Sequence, residues 1–107
     1  MTTLFSSGTQ VATGAEDTLA DITATGTFTI YINRTNMALG DSAILRVKTK
    51  VLSGDTADLI DQATLNIQSS VVVRSLPYDS DQQLIFTLEQ TAGTNRSYTW
   101  KVMQNDA

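Results

Sequence analysis

The chain is expected to be all-β: an antiparallel β-sandwich, jelly-roll-like, of seven or eight strands with an extended N-terminal arm. Three observations carry that expectation. From Thr18 to Gln104 apolar and polar residues alternate in short stretch after short stretch, the period of strands with one buried and one wet face. Turn-forming residues separate these stretches at short intervals. No segment holds a convincing helical period, and an immunoglobulin-like Greek key is the other architecture that such a pattern fits.

At 107 residues the chain has the size of one domain, able to bury about two thirds of the surface its unfolded form exposes. Residues 1–15, MTTLFSSGTQVATGA, are small, polar and glycine-punctuated, and read as the arm; residues 16–107 form the body. A frayed terminus is the simple reading of such an arm. Leu4, Phe5 and Val11 are its only sizeable apolar groups, and they favour docking on the sheet or on a neighbouring subunit.

Thr18–Thr25 suggests a short strand, closed by Gly26. In Thr27–Asn33, the clearest strand, Phe28, Ile30 and Ile32 alternate with Thr27, Thr29 and Tyr31, which assigns the first set to the core. The turn formers of NRTNMALGD follow, with Met37 and Leu39 as apolar anchors. Ser42–Leu52 is the longest alternating run. Ala43, Leu45, Val47, Thr49 and Val51 face one way, and Ile44, Arg46, Lys48 and Lys50 face the other.

Residues 56–68 are ambiguous: Thr56 could cap a short helix over 57–63, but Thr64–Ile67 reads as strand, and a strand over Leu59–Gln68 is favoured. Val71–Val73 begins another strand, which ends near Pro77, and Tyr78–Asp81 forms a loop. In Gln82–Thr91, Leu84, Phe86 and Leu88 take the core phase. In Arg96–Gln104, Tyr98, Trp100 and Val102 do so, and the two stretches are expected to form a hairpin through Ala92–Asn95.

The chain contains no histidine and no cysteine, so neither the usual nucleophile–base pairs nor thiolate or imidazole metal sites can be built, and no disulfide can form. No GxSxG, Walker or GxGxxG pattern compensates. An enzyme is not expected, nor a cofactor. Eleven acidic against seven basic residues leave a net charge of −4, which argues against nucleic acid or an anionic membrane as the main partner. Apolar runs such as Val71–Val73 fall far short of the roughly 20 residues that cross a bilayer. Met1 is followed by neither a basic start nor a long apolar run, so no signal peptide is expected.

Carboxylates gather in three loop groups: Glu16 with Asp17; Asp55, Asp58 and Asp61; and Asp79 with Asp81. They read as solvated loop charge, since none fits a twelve-residue calcium loop; a structural calcium site and a catalytic pair are the lesser readings. Arg46, Lys48 and Lys50 form a basic stripe spaced about 7 Å apart on one strand face. They could meet an acidic partner surface or guard an edge strand. Of the aromatic residues, Trp100 and Tyr98 fall in the core phase, leaving Tyr31 and Tyr78 open to sugar stacking.

The stretches SSGTQVATGAEDTLADITATGTFTIYIN, NMALGDSAILRVKTKV and LEQTAGTNRSYTWKV together resemble small virion structural proteins of tailed bacteriophages, the head-associated β-sandwich proteins. The likeness spans most of the chain and is weakest over Ser53–Asp81. It implies a capsid decoration or cement protein made in the host cytoplasm and carried on the capsid surface. The implied partners are the major capsid protein and other copies of the chain, as a trimer at a local three-fold position. Leu4, Phe5, Val11, Arg46, Lys48 and Lys50 are the candidate contacts to shell or subunit. A tail or adaptor component and a carbohydrate-binding module of a tail fibre are the alternatives.

Overall fold

Nine strands and no helix make up residues 2–66 and 72–105, the residues described in a computed structural model. In chain order they are β1 (Thr2–Val11), β2 (Glu16–Ile22), β3 (Gly26–Asn33), β4 (Ser42–Thr49), β5 (Asp58–Asn66), β6 (Val72–Arg74), β7 (Tyr78–Ser80), β8 (Leu84–Ala92) and β9 (Ser97–Asn105). One sheet runs β1-β9-β3-β6, with β7 also paired to β3; the other runs β2-β8-β4-β5. Every pairing is antiparallel.

The alternating residues do what their period requires. Phe28, Ile30 and Ile32 of β3 and Tyr98 and Val102 of β9 point inward from one sheet. Ala43, Leu45 and Val47 of β4 and Leu84, Phe86 and Leu88 of β8 point inward from the other, and together they form one buried cluster. In β2, Leu19 is an extra residue between the pairs Thr18↔Thr87 and Ala20↔Phe86, so Leu19 and Ala20 are both buried although adjacent.

The interruption between β6 and β7 raises the count to nine. Both lie along β3, β6 opposite Tyr31–Asn33 and β7 opposite Gly26–Phe28, and Pro77, lacking a backbone donor, falls between them. Ser75 bridges the gap. Its N–H donates to the Ile30 carbonyl at 2.9 Å, and its hydroxyl accepts from the Ile30 N–H at 3.1 Å.

Several expectations are corrected. The segment read as an arm is continuous with the body: Thr2–Val11 pairs along its length with β9. By contrast, the strand favoured over Leu59–Gln68 is present as β5, whose backbone pairs with β4 from Asp58 to Asn66 and leaves no helix over 57–63; Ile67, Gln68 and Val71 lie outside the described residues. Tyr78–Ser80, expected as loop, is β7. The run Ser42–Leu52 stops pairing at Thr49, and Val51, assigned to the core, is 76% exposed in the following loop. Trp100 keeps the inward phase but is only partly buried, because its ring lies over Gly8 of the edge strand β1.

The largest correction concerns β8 and β9, which do not form a hairpin. β8 pairs with β2 and β4, β9 with β1 and β3, so the connection 93–96 arches from one sheet to the other. Side chains rather than a ladder hold the arch. Gln90 accepts the Arg96 N–H at 2.9 Å and the Tyr98 hydroxyl at 3.0 Å, and its amide donates to the Thr94 carbonyl.

Candidate interaction surface

The three cations of the basic stripe meet different fates. β4 lies beside β8, which lies beside β2, and this order places the outward side chains of all three strands on one face. There Arg46 bonds Glu89 at 2.6 Å and lies 3.9 Å from Glu16, while Lys48 bonds Glu16 at 2.8 Å. Thr87, covered by these chains, donates its hydroxyl to Glu16 at 2.6 Å. Two of the three expected contact cations are therefore neutralised within the chain. Lys50 lies beyond the end of β4 and has no ion-pair partner among the described residues.

At one end of the molecule a second polar cluster ties the β3–β4 connection to the β8–β9 arch. The Asp41 carboxylate is buried and accepts from the Ala38 N–H at 2.8 Å, the Thr94 N–H at 3.1 Å and the Arg96 guanidinium at 2.7 Å. The backbone amide of Ala38, helped by Arg96, holds the Asp41 carboxyl below its usual range. The bond from Lys48, helped by that from Thr87, does the same for Glu16.

The sign of the resulting pH dependence follows from proton linkage. The unfolded chain takes up protons at these carboxyls near ordinary values, the folded chain only at lower pH, so folding loses ground as acid is added. The stabilisation is complete above the unfolded pKa values and disappears as pH falls through the folded ones. Melting temperature should hold steady down to about pH 5 and fall below about pH 4. The double variant E16Q/D41N should start lower and lose less on the same acidification. Parallel curves for the two proteins would show that other groups govern acid unfolding.

The candidate apolar contacts all belong to β1. Phe5, the extra residue between the pairs Leu4↔Met103 and Ser6↔Val102, packs edge-to-face on Phe28 with ring centroids 4.9 Å apart. Leu4 and Val11 are exposed.

Of the carboxylates expected in loops, only Asp55 and Asp81 lie outside strands, and besides Glu16 four of the group accept hydrogen bonds within the chain. Asp17 accepts from Thr13, Asp55 from the Leu52 N–H, Asp79 from Thr27 and Asp61 from the Tyr78 hydroxyl. Burial, with Asp61 beside it, pushes the Tyr78 phenol up to about 12. No group of three or more acidic side chains is placed to hold a metal ion among the described residues.

Of the tyrosines left open, Tyr78 faces Phe86 across the core, while Tyr31 lies on the outer face with the Lys101 ammonium 5.1 Å from its ring centre. Tyr31, Asn33, Thr99 and Lys101 line a shallow cleft of about 270 Å³. A second cleft, about 180 Å³, opens between β5 and the β6–β7 edge, with Leu45 and Val47 along it.

Sequence reasoning missed Asp41, Gln90 and Arg96 as a unit, and Glu16 and Glu89 as partners of the basic stripe. Alternation identifies which face a residue takes; it carries no signal for a partner thirty or fifty residues away. Comparison of the chain with protein-family models, with curated proteins and with solved structures found no match.

Proposed function

We propose that this protein is a structural component of a tailed-bacteriophage virion, a decoration protein that binds the outer capsid shell in many copies and stabilises it. The observation that carries the reading is the resemblance of three stretches, covering most of the chain, to head-associated virion proteins. The strand order supports its fold. Taking β6 and β7 as one interrupted strand, β1-β9-β3-β6/β7 faces β2-β8-β4-β5, and the chain alternates between sheets in the manner of an eight-stranded jelly roll, an architecture common in viral capsid proteins.

The chemistry of the surface agrees with a binding role. A shell protein requires a stiff small body and faces that repeat by symmetry, so that modest contacts multiply into avidity. The Glu16–Lys48 and Arg46–Glu89 pairs neutralise Arg46 and Lys48 within the outer face of one sheet. That leaves Leu4, Phe5 and Val11 on β1, all exposed, together with Lys50, which has no ion-pair partner among the described residues, as the members of the candidate contact set placed to meet a partner. The tail-fibre sugar-binding alternative would use the Tyr31 cleft. It ranks lower because Lys101 already stands over that ring.

Incubating the purified protein with undecorated capsids and counting bound copies by electron microscopy tests the reading. Many copies spread over the shell are expected. A few copies confined to one vertex would indicate a tail or adaptor component, and no binding would remove the virion reading. Contact variants should be point substitutions such as Leu4→Ser and Val11→Ser, since deleting residues 1–11 removes an entire sheet edge.

A further inference from the structure

The two sheets end in four edges: β1 and the β6–β7 line in one, β2 and β5 in the other. An edge strand offers unpaired N–H and C=O groups to any passing strand, and proteins blunt such edges with charge, proline, brevity or bulges. Three of these edges are blunted. β2 carries Glu16, Asp17 and Asp21. β5 carries Asp58 and Asp61 and has Ile60 as an extra residue in its pairing with β4. β7 is three residues long, β6 is described over Val72–Arg74, and the two carry Arg74 and Asp79 with Pro77 between them. β1 is different: it runs for ten residues with one bulge, and no ionisable side chain occurs anywhere in residues 1–15.

β1 is also held in place for pairing. Phe5 packs on Phe28, the Trp100 ring lies over Gly8, and the Ala12 N–H donates to the Arg96 carbonyl at 2.8 Å. An edge fixed in this way loses little further freedom on binding.

We propose that β1 pairs edge to edge and antiparallel with β1 of a second copy of this chain, joining the two β1-β9-β3 layers into one continuous sheet about a two-fold axis. Charge selects the partner. A two-fold contact sets a surface against itself, so in an acidic chain of net charge −4 a β2 or β5 pairing would bring carboxylates toward carboxylates. β1 meets its own copy with no charge opposed at all, and the β6–β7 edge, broken at Pro77, offers no continuous ladder to a second copy.

The side chains fit as well. With the axis at Gly8, Ser7 of each copy lies opposite Thr9 of the other, and Ser6 opposite Gln10. Beyond Ser6, the bulge at Phe5 brings Leu4 opposite Val11. Leu4 and Val11 share the outer face of the sheet, since their β9 neighbours Met103 and Ser97 both alternate with the inward Tyr98 and Val102. They are 60% and 61% exposed in the single chain, and this pairing brings each against the other at both ends of the seam.

The chain has no cysteine, which gives a direct test. In the double variant L4C/V11C the two thiols lie about 20 Å apart along one strand, too far to bond within a chain. Between antiparallel copies they lie opposite each other. Mild oxidation of the full-length double variant should yield a covalent dimer, while L4C alone and V11C alone should not. Sedimentation of the unmodified chain over a concentration series should show a dimer, and S7K/T9K should be monomeric and melt where the unmodified chain melts when diluted to monomer.

The proposal does not depend on what the protein binds, and it sets a two-fold contact in place of the three-fold assembly that the resemblance implies. A chain monomeric at every concentration, a trimeric mass, or a dimer that survives S7K/T9K would each overturn it. If the chain is monomeric and S7K/T9K instead abolishes capsid binding, the edge belongs to a strand of the shell. The two-fold seam would then be wrong and the decoration reading would stand.

Discussion

Replacing Phe86 with alanine is expected to lower the stability of the fold by about 3–5 kcal/mol, the usual range for removing a closed-packed aromatic ring. For a domain of this size that corresponds to a fall in melting temperature of at least about 12 °C. Phe86 stands in β8, the central strand that pairs with both β2 and β4, opposite Ala20 on one side and Val47 on the other. It is fully buried, and the Tyr78 ring from the opposing sheet meets it edge-on at 6.4 Å. The cavity would therefore open between the two sheets, lined by strands already fixed in ladders and unable to collapse into it. Ile85→Ala, one residue away on the partly exposed outer face, should cost much less. Thermal melts of the two variants check the phase of β8, because a one-residue slip exchanges their roles. A larger loss at Ile85 would invert the inward and outward faces given above.

Gly93→Ala is expected to be the second most damaging substitution. Gly93 opens the arch with a φ of +82°, a conformation that costs an L-residue about 1–2 kcal/mol. A methyl group there would also lie 1.9 Å from a carboxylate oxygen of Asp41 and 2.8 Å from the Asp41 Cα. Asp41 cannot step aside without releasing the Ala38 and Thr94 amides and the Arg96 guanidinium together. Gly40 supplies the control. Its φ is +94°, but a Cβ there meets open space, so Gly40→Ala should carry the conformational cost alone. Melting curves should place Gly93→Ala well below Gly40→Ala. Equal losses would mean that the arch does not rest on Asp41.

The contrast between these positions also explains what could be read in the amino-acid order and what could not. Phe28, Leu45, Phe86 and Tyr98 lie in strands with one wet and one dry face, and their period alone assigns them to the core. β5 was ambiguous for a physical reason: in DLIDQATLN only Leu65 is buried, so an edge strand exposed on both sides has no period to read. Val51 continues the phase of β4 beyond the point where pairing ends, and phase by itself does not mark that point. The arch between β8 and β9 looked like a hairpin because Ala92–Asn95 has hairpin composition. Whether a short turn joins neighbours in one sheet or crosses to the other depends on Asp41, distant in sequence. The same distance hid the neutralisation of Arg46 and Lys48, whose partners Glu89 and Glu16 come from β8 and β2. Among the candidate contacts, Leu4 and Val11 stand out by composition alone as large apolar side chains in a polar segment, and both are exposed.

The pairing of β1 with β9 has a consequence for synthesis. β1, the earliest of the nine strands described, finds its only neighbour among the described residues in β9, the last of them, with Thr2 opposite Asn105. On the ribosome, TTLFSSGTQV must wait with both of its flanks open until β9 has been made. Contacts so remote in sequence also slow the final closure. A chaperone that shields this nascent segment, or a pause that delays it, would change the yield of folded protein more than the same event at any later strand.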